Sequence, residues 1–178
     1  EPWTIYEGVY SVPAGHWMKV KHGQVSEIVC WHDVTTHWQS NSKKISNDEL
    51  QEEIYLALKD SIQSHLVADV PISIFLSGGI DSGILAGLVA EYNIPVEAIT
   101  IGFKEFVGSK RDETVFAKNI ASYYGMSHHI KWVSQEEFEE DLPFILTAMD
   151  QPSIDGVNTW FASKAAAERG YKLSLSGI

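Results

Sequence analysis

The chain has 178 residues, 44% of them hydrophobic, which is enough to close a substantial core in one main domain with part of another. Its 24 acids against 13 lysines and arginines leave a formal charge of −11, so no general basic footprint exists for nucleic-acid phosphates. No apolar run approaches the roughly 20 residues that span a bilayer. The single cysteine, Cys30, offers neither an internal disulfide nor a multi-thiolate metal site, so a cytoplasmic setting is expected, with no membrane and no nucleic-acid partner.

In chain order, residues 1–33 place Gly8, Pro13, Gly15 and Gly23 between short alternating stretches such as WMKVK and VSEIVCW, which predicts β-hairpins. EPWTIYEG has neither the charged start nor the apolar middle of a secretory signal, and the chain is expected to be an excised piece of a longer one. THWQSNSKKISN predicts a linker. A helix then follows, because Ser46 and Glu49 have capping-box spacing and Leu50, Ile54, Leu58 and Ile62 recur on one face, a stripe expected to pack. From Val70 onward, apolar runs alternate with helical periods: PISIFLS, a helix through ILAGLVAEY, VEAITIGF, a helix through TVFAKNIASYYG, then HHIKWV. A helix through FEEDLPFILTAM, the loop QPSIDG, a helix through TWFASKAAAERG and a last strand in YKLSLSG complete the series. Strands spaced by such helices predict an α/β domain with a doubly wound parallel sheet. Ligands on these sheets bind beyond the carboxyl ends of the strands, where SGGIDS and SLSGI both lie.

SGGIDS, residues 77–82, leaves an apolar strand through two glycines and enters a helix. Gly78 and Gly79 leave backbone N–H groups open to an anion, and the hydroxyls of Ser77 and Ser82 add donors. Asp81 is unfavourable in an anion cradle unless a cation intervenes, which points to Mg²⁺ carried by nucleotide phosphates. The loop lacks the lysine of GxxxxGK[ST] and is not GxGxxG. Taken alone, the six residues serve equally well as a helix start capped by Ser77 or Asp81.

The wider pattern resembles a known family. SGGIDS is similar to the pyrophosphate-binding loop of the ATP pyrophosphatases, and ADVPISIFLSGGIDSG (68–83) is similar to the asparagine synthetase signature. TIGF at 100–103, DETVFAKNIASYYGMSHH at 112–129, DQPSIDG at 150–156 and the opening of a second signature in SLSGI follow in the family's order. GVYSVPAGHWMKV with CWHD resembles the closing hairpin of the family's glutamine amidotransferase domain, with Ala14 where the family usually has proline. The resemblance implies a synthetase domain of the adenine nucleotide alpha hydrolase-like fold over 68–178, cut short at its C-terminus. It implies the end of an amidotransferase domain over 1–33, and a linker and helix over 34–67.

It further implies an ATP-dependent, amide-forming ligase that adenylates aspartate or another carboxylate and passes it to ammonia from glutamine. ATP and Mg²⁺ would be its cofactors, and a homodimer is open to it. Ser77, Gly78, Gly79, Asp81 and Ser82 would hold pyrophosphate and Mg²⁺, with Asp81 as the metal ligand. Leu76 and Ile101 would lie against adenosine, and Ser176 and Gly177 would meet the nucleotide from the neighbouring strand end. Asp155 and Gly156 face either the substrate or only the start of a helix. Glu113 is expected to offset a helix dipole, and Asp141 to sit on a solvated acidic face. His128 and His129, adjacent on a strand, point to opposite faces and do not share a metal ion. Trp160 and Phe161 are expected in the core. With the family's catalytic lysine and second metal-binding acid lying beyond Ile178, the piece alone is expected to be inactive. Readings that remain open are a lactam- or peptide-forming relative with another acceptor, and a nucleotide-binding module without catalysis.

Overall fold

A computed structural model describes residues 3–38 and 45–177, which fall into two compact units divided at Asn47 and Asp48. In the first unit, strand β1 (His16–Trp17) pairs antiparallel with β4 (Val29–Cys30), and β2 (Val20–Lys21) with β3 (Gln24–Val25). The expected hairpins therefore form. Gly15 shows why the turn needs glycine: its φ is +67°, its carbonyl accepts from the N–H groups of Trp31 and His32, and a Cβ there would collide with the His32 carbonyl. A short helix, α1 (Thr35–Trp38), follows.

The second unit opens with helix α2 (Asn47–His65) and continues through β5 (Ile72–Phe75), α3 (Ile80–Ala90), β6 (Glu97–Phe103) and α4 (Thr114–Tyr123). Then come β7 (Ser127–Val133), α5 (Gln135–Ala148), α6 (Gly156–Glu168) and β8 (Leu173–Leu175). The four strands pair in parallel in the order β7-β6-β5-β8. The chain thus builds outward from β5 in one direction and then returns to its other side, which makes the β5–β8 boundary the topological switch point.

Alternation along the strands divides the core between two helical layers. Ile72, Ile74, Leu76 and Ala98 face Ala86, Val89, Ala117 and Ala121 of α3 and α4. On the other face, Ile99 packs on Ala165 and Ala166, while Val133, Ile145 and Phe161 form a cluster with Ile101, Phe103 and Phe138. Helices therefore cover both faces, as the doubly wound reading expects. Alanines at the helix–sheet contacts let the α3, α4 and α6 backbones approach the sheet closely.

Two local expectations change, and one ion pair is added to them. The α2 stripe packs only through Ile62 among the described residues, since Leu50, Ile54 and Leu58 stay 44%, 49% and 40% exposed. Asp141 is no mere solvated acid: it accepts from the Lys164 ammonium at 2.6 Å and the Trp160 indole N–H at 2.9 Å, tying α5 to α6. Glu97, nearly buried at the start of β6, receives the Arg169 guanidinium at 2.7 and 3.0 Å. Among the described residues, no helix is long and apolar enough to cross a membrane.

Candidate functional site

At the carboxyl end of the sheet, the loops after β5, β6 and β8 and the first turns of α6 enclose a cavity of about 680 Å³. That volume lies within the range of small-molecule sites. Of the residues expected at a nucleotide site, Leu76, Ser77, Gly79, Asp81, Ser82, Ile101, Ser176 and Gly177 all line it. The two glycine loops converge at the switch point. A Cβ on Gly177 would sit 3.4 Å from the Asp81 carbonyl carbon and 3.4 Å from the Ser82 nitrogen, so the β8 loop lies directly against the start of α3.

The serines hydrogen-bond to one another and to their own loop. Ser77 Oγ accepts from Gly79 N–H at 3.1 Å and shares a 2.9 Å hydrogen bond with Ser82 Oγ, which also accepts from Ser77 N–H at 3.1 Å. The pair closes the turn on itself and holds it in shape before any ligand arrives. The residue at the N-cap of α3 is Gly79, and no side chain caps it. The first N–H groups of α3 therefore keep their partial positive charge beside the cavity, while Ser77 holds the Gly79 N–H just ahead of the helix. Gly78 is absent from the cavity wall. Its missing Cβ makes room behind the loop, where it would meet Phe116 Cβ at 3.0 Å and the Glu113 carbonyl at 3.4 Å.

Asp155 and Gly156 are likewise not brought into the wall. Asp155 is the N-cap residue of α6, without a side-chain cap bond, and Gly156 leaves room for the Met149 side chain, whose sulfur a Cβ there would displace. Asn158 and Thr159, one turn further on, line the cavity in their place. Thr100, Arg111, Asp112 and Glu113 also reach it, so Glu113 has a cavity position beyond any effect on the α4 dipole. Arg111 is the one cation among the described residues of the wall, and its guanidinium lies 5.7 Å from the centre of the Phe106 ring. Asp112 is occupied in holding its own loop: it accepts from Gly108 N–H and from the N–H and hydroxyl of Thr114, and these bonds keep its carboxyl below the usual range.

Beneath the loop, Thr100 Oγ1 lies 2.6 Å from the Leu76 carbonyl and 2.8 Å from His128 Nε2. Because the hydroxyl hydrogen goes to the carbonyl, the imidazole donates from Nε2. His129 and Lys118 add to the burial of His128 in pressing its pKa below the ordinary value, although Glu97 acts the other way. Glu97, Glu137 and Asp141 are also held below their ordinary values, by Arg169 for the first and by Lys164 foremost for the other two. A depressed folded pKa contributes stability above the unfolded value and loses it as pH falls through the folded one. Tm should therefore decline in two stages on acidification, first below about pH 6.5 as His128 begins to favour the unfolded chain, then below about pH 4.5 as the carboxylates follow. A thermal melt series from pH 8 to pH 3 checks this, and His128→Gln should remove the first stage alone.

Comparison with known proteins accords with this architecture. The asparagine synthase family model matches residues 53–178. A putative glutamine-hydrolysing asparagine synthetase of Mycobacterium tuberculosis is 31% identical over 99% of this chain and 27% of its own length. Asparagine synthetase 1 of Bacillus subtilis is 32% identical over 91% of this chain and 26% of its own, and an amidase of Gibberella zeae is 27% identical over 98% and 28%. The chain thus spans about a quarter of the length of these curated relatives. A solved NMN synthetase from Francisella tularensis superposes with a TM-score of 0.44 at 18% identity, covering 72% of this chain and 53% of that one, too loosely to bear on the site. With the family match running from α2 through the β8 loop, the chain belongs to the asparagine synthase family.

Proposed function

We propose that the chain forms the nucleotide-binding part of an ATP-dependent ligase that adenylates a carboxylate, with aspartate as acceptor and glutamine-derived ammonia as nitrogen source. The observation that carries this reading is the convergence of the Ser77–Ser82 and Ser176–Gly177 loops on one cavity at the switch point of the sheet. In this reading residues 1–33 end a glutamine amidotransferase domain, 34–67 form a linker and helix, and 68–178 belong to the synthetase domain.

The chemistry asks for positioning and charge neutralisation more than covalent work by the protein. A carboxylate oxygen attacks the α-phosphorus of ATP, the bond to pyrophosphate breaks, and ammonia then displaces AMP from the acyl carbon with loss of a proton. Leu76 and Ile101 supply an apolar bed for adenosine. The uncapped N–H groups at the start of α3 receive phosphate oxygens, with Ser176 and Gly177 closing the opposite side. Among the described residues no cluster of three or more ligating side chains could cage a metal ion by itself. Asp81, exposed at the cavity wall, suits instead a Mg²⁺ that brings phosphate and water oxygens of its own. Such an ion would offset phosphate charge, and the chain's part is one carboxylate aimed beside the cradle.

The test is ATP–pyrophosphate exchange by the full-length protein that contains this chain, with aspartate among a panel of carboxylic acids. Exchange that requires aspartate is the expected result. Exchange with another acid alone transfers the reading to a different acceptor, an outcome made concrete by the amidase among the relatives. No exchange with any acid, despite measurable ATP binding, leaves a nucleotide-binding module and overturns the ligase.

A further inference from the structure

The hydrogen-bonded backbone ladder between β5 and β6 ends one residue short of the SGGIDS loop. Its last paired residues are Phe75 and Ile99, and the Leu76 N–H still reaches the Ile99 carbonyl at 2.9 Å. The Leu76 carbonyl is then taken by a side chain, the hydroxyl of Thr100 at 2.6 Å. Thr100 is 3% exposed, and its oxygen receives His128 Nε2–H from β7 at 2.8 Å. A line of two hydrogen bonds thus crosses three strands and ends on the peptide that joins Leu76 to Ser77.

We infer that His128 and Thr100 are positioning residues for the phosphate loop, fixing the Leu76–Ser77 peptide and hence the angle at which Ser77–Ser82 leaves the sheet. The inference rests on the nucleotide reading of the cavity. Its physical basis is that a carbonyl held by a hydroxyl that is itself held from behind has one preferred orientation, and the N–H groups that follow inherit it. The loop's own bonds, Ser77 to Ser82 and to Gly79, hold its internal shape but do not aim it. Thr100 alone could rotate its hydroxyl; with His128 donating to the oxygen, the hydrogen is left to point at Leu76. Imidazolium would donate from Nε2 as well, so the device works by geometry and does not depend on the charge of His128.

A split between ligands separates aiming from general support. Thr100→Val removes both bonds of the line and His128→Phe removes the outer one, whereas Thr100→Ser and His128→Gln keep a hydroxyl and a donor at the equivalent reach. Titration of the full chain with MgATP and, separately, with adenosine reads phosphate and nucleoside binding independently. The expected result is a loss of about tenfold in MgATP affinity for Thr100→Val and His128→Phe, some 1.4 kcal/mol. Adenosine affinity should change less than twofold for His128→Phe, which lies outside the cavity wall, and the Ser and Gln variants should recover MgATP binding. Equal losses for both ligands, or lower Tm with unchanged MgATP affinity, overturn the inference. Should Thr100→Val fail to fold, the Phe and Gln variants of His128 make the same comparison from the other end of the line. A wild-type chain that binds neither ligand removes the nucleotide reading itself, a result distinct from loss of the split between them.

Discussion

In the full-length enzyme, Asp81→Asn should lower Mg²⁺-dependent pyrophosphate exchange by about a hundredfold or more, the range expected when one preorganised electrostatic partner is lost. It should cost little stability. Asp81 is exposed in the first turn of α3, where an acid offsets the helix dipole by about 0.3–1 kcal/mol, and it makes no cap on a helix whose N-cap is Gly79. For a chain of this length that corresponds to a fall in Tm of a few degrees at most. Exchange against Mg²⁺ concentration, run beside thermal melts, measures both quantities on one preparation. A residual activity that recovers at high Mg²⁺ would place the carboxylate at the metal. If activity and Tm fell together in proportion, Asp81 would be a helix-start residue and the cation reading would fail.

The loops that build the cavity were legible because their chemistry is local. Two consecutive glycines between an apolar strand and a helix restrict what the backbone can do, and the alternation of strands and helices says at which sheet edge the turn lies. Asn158, Thr159 and Arg111 reach the same cavity only through the folding of separate loops over the sheet, and nothing in their immediate neighbours announces it. Asp155 and Gly156 belong to a loop at the same sheet edge, but the glycine there makes room for Met149, and the wall is formed one turn later.

Thr100 had a signal that could have been read. It is a hydroxyl in a strand buried on both faces, and such a group needs a partner. What sequence could not supply was the partner, since β-branched threonine fits a strand whatever its hydroxyl does. Asp141 was hidden differently. Its acidic neighbours make it look like one more solvated charge, and only the packing of α5 on α6 brings Lys164 and the Trp160 indole to it. The exposed α2 stripe is the converse case, with a periodicity that is real and a described structure that covers only Ile62.

Phe161→Ala should be the most damaging single substitution to stability, with a loss of about 3–5 kcal/mol, the usual range for emptying a large aromatic site. Phe161 is fully buried in α6, meets Phe103 of β6 edge-on at 6.4 Å and stacks with Phe138 of α5 at 6.1 Å. Val133 and Ile145 complete its surroundings, so one ring holds α5, α6 and the sheet together. Partial collapse is restricted because the surrounding groups belong to three elements already fixed by the sheet and by the Lys164–Asp141–Trp160 bonds. For a chain of this size the expected fall in Tm is roughly 10 °C. Phe161 does not line the cavity, whereas Asn158, Thr159 and Ala162 on the same helix do. Saturating MgATP should therefore still raise the variant's Tm, by the increment that about 2–3 kcal/mol of binding at a hundredfold excess over Kd supplies. Denaturation with and without MgATP tests both halves: an intact increment on a lowered baseline assigns Phe161 to the core. Loss of the increment as well would mean that the α6 wall depends on this ring for its place over the site.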